Sequence, residues 1–171
     1  MSGETRVEIE GLAEALSKIS PELYSEPLRD FWEKAALTVE NEARTRAPVD
    51  TGRLRSSLAH MVDTATPPVW AKVGSKVTYA PYMEYGTGLL SDGEGGSGRV
   101  HWPPAAALEV WAGRHGFASG AQVARIIGRR GGLEPRRFLR GAFEASMGKI
   151  SQLVTGLQQK IAERWSSGQN A

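Results

Sequence analysis

A turn at residues 47–58, with the sequence APVDTGRLRSSL, constrains the fold of this chain more than any other stretch. Pro48 cannot continue a helix, because it lacks an amide N–H and disfavours the α conformation of the residue before it. The side chains of Asp50 and Thr51 can hydrogen-bond to nearby backbone, and Gly52 adopts positive φ without steric cost. We therefore predict a structural turn, between a helix and a region of short strands, formed by Pro48, Asp50, Thr51 and Gly52.

The spacing of apolar residues changes at this turn. From residue 23 to residue 43 they recur mostly three to five positions apart, which predicts an amphipathic helix from Pro21 to about Arg46. Residues 57–64 and 69–77 then predict two strands joined by a proline-containing turn. A further short strand is predicted at residues 6–10, where polar and apolar residues alternate, and helical spacing follows it as far as residue 19.

Three more helices are predicted after the strands. The first short helix runs to about His115, and the second begins after Ser119 and ends at Gly131. A glycine-rich loop precedes them. A long apolar stripe over residues 138–165 predicts a C-terminal helix whose glycines allow a kink or close packing.

These patterns predict one α+β domain over residues 1–165, followed by a flexible tail over residues 166–171. A small antiparallel sheet packs against a long helix in the N-terminal half and a long C-terminal helix, and residues 89–133 form a glycine-rich loop with a two-helix insert. The 40% hydrophobic and 23% charged residues are typical of a globular protein. The chain has no apolar run of about 18 residues, so no membrane association is predicted.

The sequence predicts no catalytic, cofactor or metal site. The chain has no cysteine, which excludes disulfides and thiol catalysis. Residues 93–98 match G-x-G-x-x-G, but a dinucleotide site needs a strand before this motif and a helix after it, and neither is predicted here. His60, His101 and His115 lie in three different predicted elements, and a hydrolase that uses one of them is a third possibility. We therefore predict no enzyme activity.

Basic residues concentrate late in the chain and acidic residues early. Residues 125–140 contain a single acid, Glu134, and six arginines, which are Arg125, Arg129, Arg130, Arg136, Arg137 and Arg140. The net charge of only +2 favours a protein interface, such as one between copies of the chain, over nucleic acid. A nucleic-acid-binding surface built on the same arginines is the alternative.

Aromatic residues are predicted to be packed. Tyr79, Tyr82 and Tyr85 surround Pro81, which favours a packed corner over a base-stacking surface. Trp102 and Trp111 are predicted to be core or interface anchors.

Three motifs carry a family resemblance. They are residues 47–57, residues 79–87 (YAPYMEYGT) and residues 135–143 (PRRFLRGAF). In this order and spacing they resemble a tailed-bacteriophage family of tail-component or neck proteins, which are encoded among the head–tail joining genes.

The resemblance implies a structural virion protein of a siphovirus-like phage or prophage, without catalysis or cofactor. Such proteins help to join the head to the tail or to complete the tail as rings. The implied partners are further copies of the chain, connector or head-completion proteins, and tail terminator or tail tube proteins. The implied location is the neck or tail of the virion, with assembly in the cytoplasm of the bacterial host.

Assembly contacts are predicted on and beside these motifs. Arg53 and Arg55 are expected to present charge along the strand that follows the turn. The remaining predicted contact residues are Tyr82, Glu84, Arg129, Arg130, Arg136, Arg137 and Arg140.

Overall fold

The structure is a computed structural model that describes residues 21–64, 69–92 and 98–168. The strand predicted at residues 6–10 and the helical spacing after it lie outside the described residues. Contacts divide the described chain into two compact units. Residues 21–76 and 139–168 form one, here called the sheet unit, and residues 77–138 form the other, here called the insert unit. The single domain expected from the sequence stays a prediction.

The two long helices, both strands and the two helices of the insert follow the order that the periodicities predict, and two short helices and a 3-10 turn were not predicted. In chain order they are α1 (Pro21–Arg46), α2 (Arg53–Ser56), β1 (Leu58–Asp63), β2 (Trp70–Ser75), α3 (Ala80–Tyr85), a 3-10 turn (Gly88–Leu90), α4 (Ala105–Arg114), α5 (Gly120–Arg130) and α6 (Phe138–Gly168). The predicted α+β class, with two long helices and a two-helix insert, is confirmed.

The two strands of the sheet unit pair antiparallel, from Leu58 opposite Ser75 to Asp63 opposite Trp70. One face of this sheet packs against the core of the unit, to which Val62 and Ala71 contribute. The ammonium group of Lys72 lies 5.0 Å from the ring centroid of Trp70, and these two residues share the other face.

Helix α1 supplies most of the core of the sheet unit. Its residues Leu28, Phe31, Trp32 and Ala35 are all buried, and Leu157 of α6 packs with them. Further apolar side chains from α1, α6 and the sheet region surround this cluster, namely Tyr24, Val62, Val69, Ala71, Ile150, Leu153, Val154 and Ile161. A two-stranded sheet is marginally stable alone, so burial against these long helices stabilises it.

Ion pairs join α1 to α6 beside this core. The carboxylate of Asp30 accepts hydrogen bonds from Lys160 at 2.6 Å and Lys34 at 2.9 Å, and these bonds lower its pKa below the ordinary value. Arg164 binds Glu26 in the same way, and that hydrogen bond and charge lower the pKa of Glu26.

The turn after α1 depends on Gly52, which adopts φ of 78°. The Gly52 carbonyl accepts a hydrogen bond from the N–H of Ser56 at 2.9 Å, which closes one helical turn. The hydroxyl of Thr51 accepts a longer hydrogen bond of 3.4 Å from the N–H of Arg53. A turn therefore lies at the predicted position, and the roles predicted there for Pro48 and Asp50 stay predictions.

The prediction that Arg53 and Arg55 lie along the following strand is wrong. Both side chains are exposed on α2, and the strand begins only at Leu58. The helical turn forms because Leu54 is buried at 3% exposure, and its carbonyl accepts a hydrogen bond of 2.7 Å from the Ser57 hydroxyl.

The insert unit contains the two predicted short helices as a hairpin. Its buried core is made of Ala112 from α4 with Val123 and Ile127 from α5. The hydroxyl of Ser119 accepts a hydrogen bond from the N–H of Gln122 at 3.3 Å, which confirms the predicted N-cap of α5.

The sequence did not indicate that α4 also caps α5. The carboxylate of Glu109 accepts a hydrogen bond of 2.7 Å from the N–H of Gly120. A Cβ atom at Gly120 would lie 2.1 Å from the carbonyl oxygen of Ala105, so glycine permits this close contact between the helices.

Replacement of Gly52 by alanine is expected to destabilise the protein by roughly 1–2 kcal/mol, because a left-handed backbone brings Cβ too close to the following carbonyl. Gly52→Asn should cost less, because asparagine tolerates this conformation. No atom lies within 4 Å of a Cβ built at Gly52, so the cost is conformational and not a clash. Urea denaturation measures the difference.

Gly148→Ala is the matched control for this prediction. Gly148 lies in α6, and a Cβ there would meet nothing within 4 Å. Alanine should therefore stabilise the helix by up to about 1 kcal/mol. Equal effects of alanine at the two positions would contradict the turn assignment.

Candidate assembly surfaces

The structure brings the second sequence motif together with the start of the third motif in the insert unit. The N–H of Arg136 donates a hydrogen bond of 2.8 Å to the carbonyl of Met83, and the N–H of Arg137 donates one of 3.1 Å to the carbonyl of Glu84. The two motifs are about fifty residues apart in sequence, yet the backbone of one is fixed to the backbone of the other.

Glycines allow these segments to approach closely. The N–H of Thr87 binds the carbonyl of Leu133 at 2.9 Å, and the N–H of Leu133 binds the Thr87 hydroxyl at 2.9 Å. A Cβ at Gly86 would lie 2.5 Å from the Leu133 carbonyl oxygen, and a Cβ at Gly132 would lie 1.9 Å from that of Thr87. A side chain at either glycine would therefore separate the paired segments.

Arg137 adopts an unusual backbone conformation at this junction, with φ of 48°. Its side chain forms an ion pair with Asp92, while its N–H binds Glu84. A positive φ is uncommon for a residue with a side chain and costs free energy. The two contacts hold it in this conformation.

The predicted packed tyrosine corner is wrong for two of its three residues. Tyr82 is 56% exposed and Tyr79 is 38% exposed. Both lie at the start of α3, three residues apart, and helical spacing places such residues on one face. Ala80 and Glu84 are buried, so the packed side of this helix is a different one.

The predicted contact residues differ in accessibility. Glu84 is only 3% exposed, so its side chain does not lie on the surface. The other predicted residues are exposed, and they are Arg53, Arg55, Tyr82, Arg129, Arg130, Arg136, Arg137 and Arg140.

Helix α5 separates its arginines from its packed side. Val123, Ala124, Ile127 and Gly128 are buried, whereas Arg125, Arg129 and Arg130 are exposed. Because the buried side chains fix the orientation of the helix within the insert unit, the arginines are held outward.

The two tryptophans of the insert unit have different environments. Trp111 packs against the core of the helical hairpin and stacks on His115 at a centroid distance of 4.1 Å, as predicted for a core anchor. Trp102 is 59% exposed, although its ring covers Gly128, where a Cβ would lie 2.3 Å from a ring carbon.

An ionisable cluster joins α1 to β1 in the sheet unit. Nδ1 of His60 lies 2.5 Å from a carboxylate oxygen of Glu40, and Nε2 lies 3.2 Å from Glu33. Arg44 also forms an ion pair with Glu40. Glu40 is only 4% exposed, and a buried carboxylate is costly unless it is paired, so these contacts compensate its burial.

The pKa of His60 is raised above its ordinary value. Burial alone would lower this pKa, but the hydrogen bonds and charges of Glu40 and Glu33 outweigh burial and favour the protonated ring. The cluster joins two elements of the sheet unit, and it was not indicated by the sequence, because Glu33 and His60 are 27 residues apart.

Comparison with known proteins identifies the N-terminal part of the chain. Residues 10–86 match the model of a family described as "Bacteriophage HK97-gp10, putative tail-component". This part of the chain is similar to bacteriophage tail components. The match covers α1 to α3 with both strands, and it confirms the resemblance to bacteriophage tail components. Searches of curated proteins and of solved structures gave no match.

Residues 21–64, 69–92 and 98–168 contain no group of three or more His, Cys, Asp or Glu side chains suited to a metal ion. Within the same ranges, none of the helices has the length and apolar character that crossing a membrane requires.

The stability of the protein should decrease as pH rises through the pKa of His60. Folding raises this pKa, so protonated His60 adds to the free energy of unfolding. The contribution is fully present below the pKa of the unfolded chain, about 6.5, and is lost as pH rises above the pKa of the folded protein. His60→Gln should remove this part of the pH dependence. Urea denaturation between pH 6 and pH 9 measures it, and a wild-type curve identical to that of the variant would contradict the assignment.

An NMR titration tests the cause of the raised pKa. Glu33→Gln should lower the pKa of His60, because it removes one of the two carboxylates beside the ring. An unchanged pKa would mean that the contact with Glu33 does not form in solution.

Gly132→Ala should destabilise the insert unit by more than Gly52→Ala, because it adds a clash with the Thr87 carbonyl to a positive φ of 150°. Loss of the hydrogen bonds between Thr87 and Leu133 can be followed by hydrogen exchange of their amides. Retained protection of both amides in the Gly132→Ala variant would contradict the close approach of residues 83–89 to residues 131–137, because the added Cβ would then cause no clash.

Proposed function

We propose that this chain is a structural protein of the neck or tail of a siphovirus-like phage or prophage, where it joins the head to the tail or completes the tail. The match of residues 10–86 to the tail-component family carries this proposal. The matched residues include the first long helix and the complete sheet, so the similarity extends over a folded core and is not limited to a short motif.

The geometry of the charged groups supports an assembly role. The ionisable cluster of His60, Glu40 and Arg44 holds α1 against β1, and its buried carboxylate is already paired. The exposed arginines, in contrast, lie on α2, on α5 and around the start of α6. Those on α2 and α5 are exposed, so acidic groups of other proteins can approach them.

We further propose that copies of the chain form a ring. The contacts proposed between copies are made by exposed residues of the motifs, namely Arg53, Arg55, Tyr82, Arg136, Arg137 and Arg140. The buried Glu84 is proposed to position Tyr82, Arg136 and Arg137 within the insert unit through its backbone bond to Arg137, and not to touch a partner. Repeated head-to-tail contacts close into a ring when the rotation between copies allows it.

Native mass spectrometry and negative-stain electron microscopy of the full chain test the ring. We expect a closed homo-oligomer that also associates with purified connector or tail tube protein of the same phage. Double charge reversal at Arg53 and Arg55 should shift the mass distribution towards monomer, while Lys149→Glu, an exposed charge reversal on α6, should not. A strict monomer that binds none of these proteins would contradict the proposed function.

The exposure of Arg125, Arg129 and Arg136 favours nucleic-acid binding as the second candidate. Contacts to several phosphates would make the affinity fall steeply with salt, by orders of magnitude between about 50 and 200 mM. Titration with duplex DNA at these two concentrations distinguishes the candidates, because a protein-assembly role predicts no measurable binding even at the lower one.

A further inference from the structure

The insert unit presents an exposed apolar patch of Leu89, Val100 and Trp102, here called the tryptophan patch. The exposed fractions of these side chains are 57%, 42% and 59%. Contiguous exposed apolar surface is characteristic of interaction sites, and tryptophan is enriched among the residues that contribute most to binding.

The backbone of α5 holds the members of this patch side by side. The carbonyl of Gly131 accepts hydrogen bonds from the N–H of Leu89 at 3.0 Å and from the N–H of His101, the residue before Trp102, at 3.2 Å. A Cβ at Gly131 would lie 3.2 Å from the Leu89 side chain, and one at Gly128 would touch the Trp102 ring. Leu89 and Trp102 therefore rest on neighbouring positions at the end of the same helix.

The backbone beside Leu89 is held by hydrogen bonds within the insert unit. The segment that carries Leu89 is fixed at Thr87, whose N–H and hydroxyl both bond to Leu133. A Cβ at Gly88 would lie 2.1 Å from the carbonyl oxygen of Gly131, which shows how closely this segment lies on the end of α5. Because this backbone is ordered before binding, less conformational entropy is lost when a partner covers the segment.

Basic side chains border the patch. Arg129 and Arg130 are exposed in the last turn of α5, directly beside the two glycines on which the patch rests. An apolar centre with a charged rim is typical of protein interfaces, and a basic rim fits a surface bordered by carboxylates.

The described carboxylates of α1 suit these arginines poorly as partners in a second copy. The acids of α1 are matched within the sheet unit, because Asp30 binds Lys160 and Lys34, and Glu26 binds Arg164. Glu42 likewise binds Arg46 within the helix. These carboxylates would have to give up their present partners to meet the arginines of another copy.

Nucleic acid fits the patch less well than protein. Leu89 and Val100 have aliphatic side chains, which can neither stack on a base nor hydrogen-bond to a phosphate. They account for two of the three patch residues.

We infer that the tryptophan patch docks a different structural protein of the particle, through an apolar surface of that protein that is bordered by carboxylates. This inference rests on the proposed function and adds to it a specific surface and the chemistry of its partner.

Binding of the full-length chain to purified connector protein and to purified tail tube protein of the same phage tests this inference. One variant carries Leu89→Gln and Val100→Gln, and a second carries Arg129→Glu and Arg130→Glu. Val110→Gln is the matched control, because Val110 is 73% exposed on α4 and lies outside the patch. Circular dichroism and native mass spectrometry establish that fold and oligomeric state are unchanged.

We expect both double variants to lose roughly tenfold or more in affinity for one of the two proteins, while the control binds as the wild type does. The arginine variant should also show a weaker dependence of affinity on salt. Trp102→Phe, which keeps a ring over Gly128, should retain part of the affinity.

Three results would overturn the inference. Wild-type affinity in both double variants would exclude the patch as a docking surface while leaving the proposed function intact. Loss of self-association in place of partner binding would show that a second copy covers the patch. If the wild-type chain binds neither protein, the proposed function and the inference both fail.

Discussion

Pairing between residues 83–89 and residues 131–137 is the constraint on which the insert unit depends. These segments are far apart in sequence, so their hydrogen bonds must offset the entropy lost when the intervening chain closes. The approach is so close that Gly86 and Gly132 have no space for a Cβ atom. This pairing fixes the positions of three features, because each is attached to one of the two segments. They are α3, the α4–α5 hairpin and the exposed tryptophan patch.

The sheet unit uses a different means of stabilisation, in which α1 packs against both the sheet and α6. A two-stranded sheet buries too little apolar surface to be stable alone in water. The apolar side chains of α1 and α6 supply the additional buried surface. Glu40 is the exception inside this packing. Its buried carboxylate is stabilised by His60 and Arg44, so burial of the charge is matched by charge-assisted hydrogen bonds between α1 and β1.

Local chemistry made much of the fold predictable. The end of α1, both strands and the caps of α5 follow from Pro48, from alternating residues and from Ser119 and Gly131, each of which acts within a few residues. The helical turn at Arg53 was missed because the burial of Leu54 decides it, and burial depends on residues elsewhere in the sequence. The exposed tyrosines were missed for a similar reason, because aromatic content does not specify which face of α3 packs.

The structure also changes how the charge distribution should be interpreted. By sequence, early acids and late arginines form complementary halves, which favours contacts between copies. In three dimensions, Glu26 and Asp30 are matched by Arg164 and Lys160, which lie close to the C-terminal end of α6. The arginines of α5 are instead exposed by the packing of the helical hairpin. Val123 and Ile127 face its core, which leaves Arg125 and Arg129 on the outer side of the helix. Segregation of charge along a chain therefore predicts an interface only after the ion pairs formed by folding have been subtracted. In the insert unit, exposed arginines at the end of α5 lie beside exposed apolar side chains. Such a surface is matched by a protein that carries acidic groups around an apolar surface of its own.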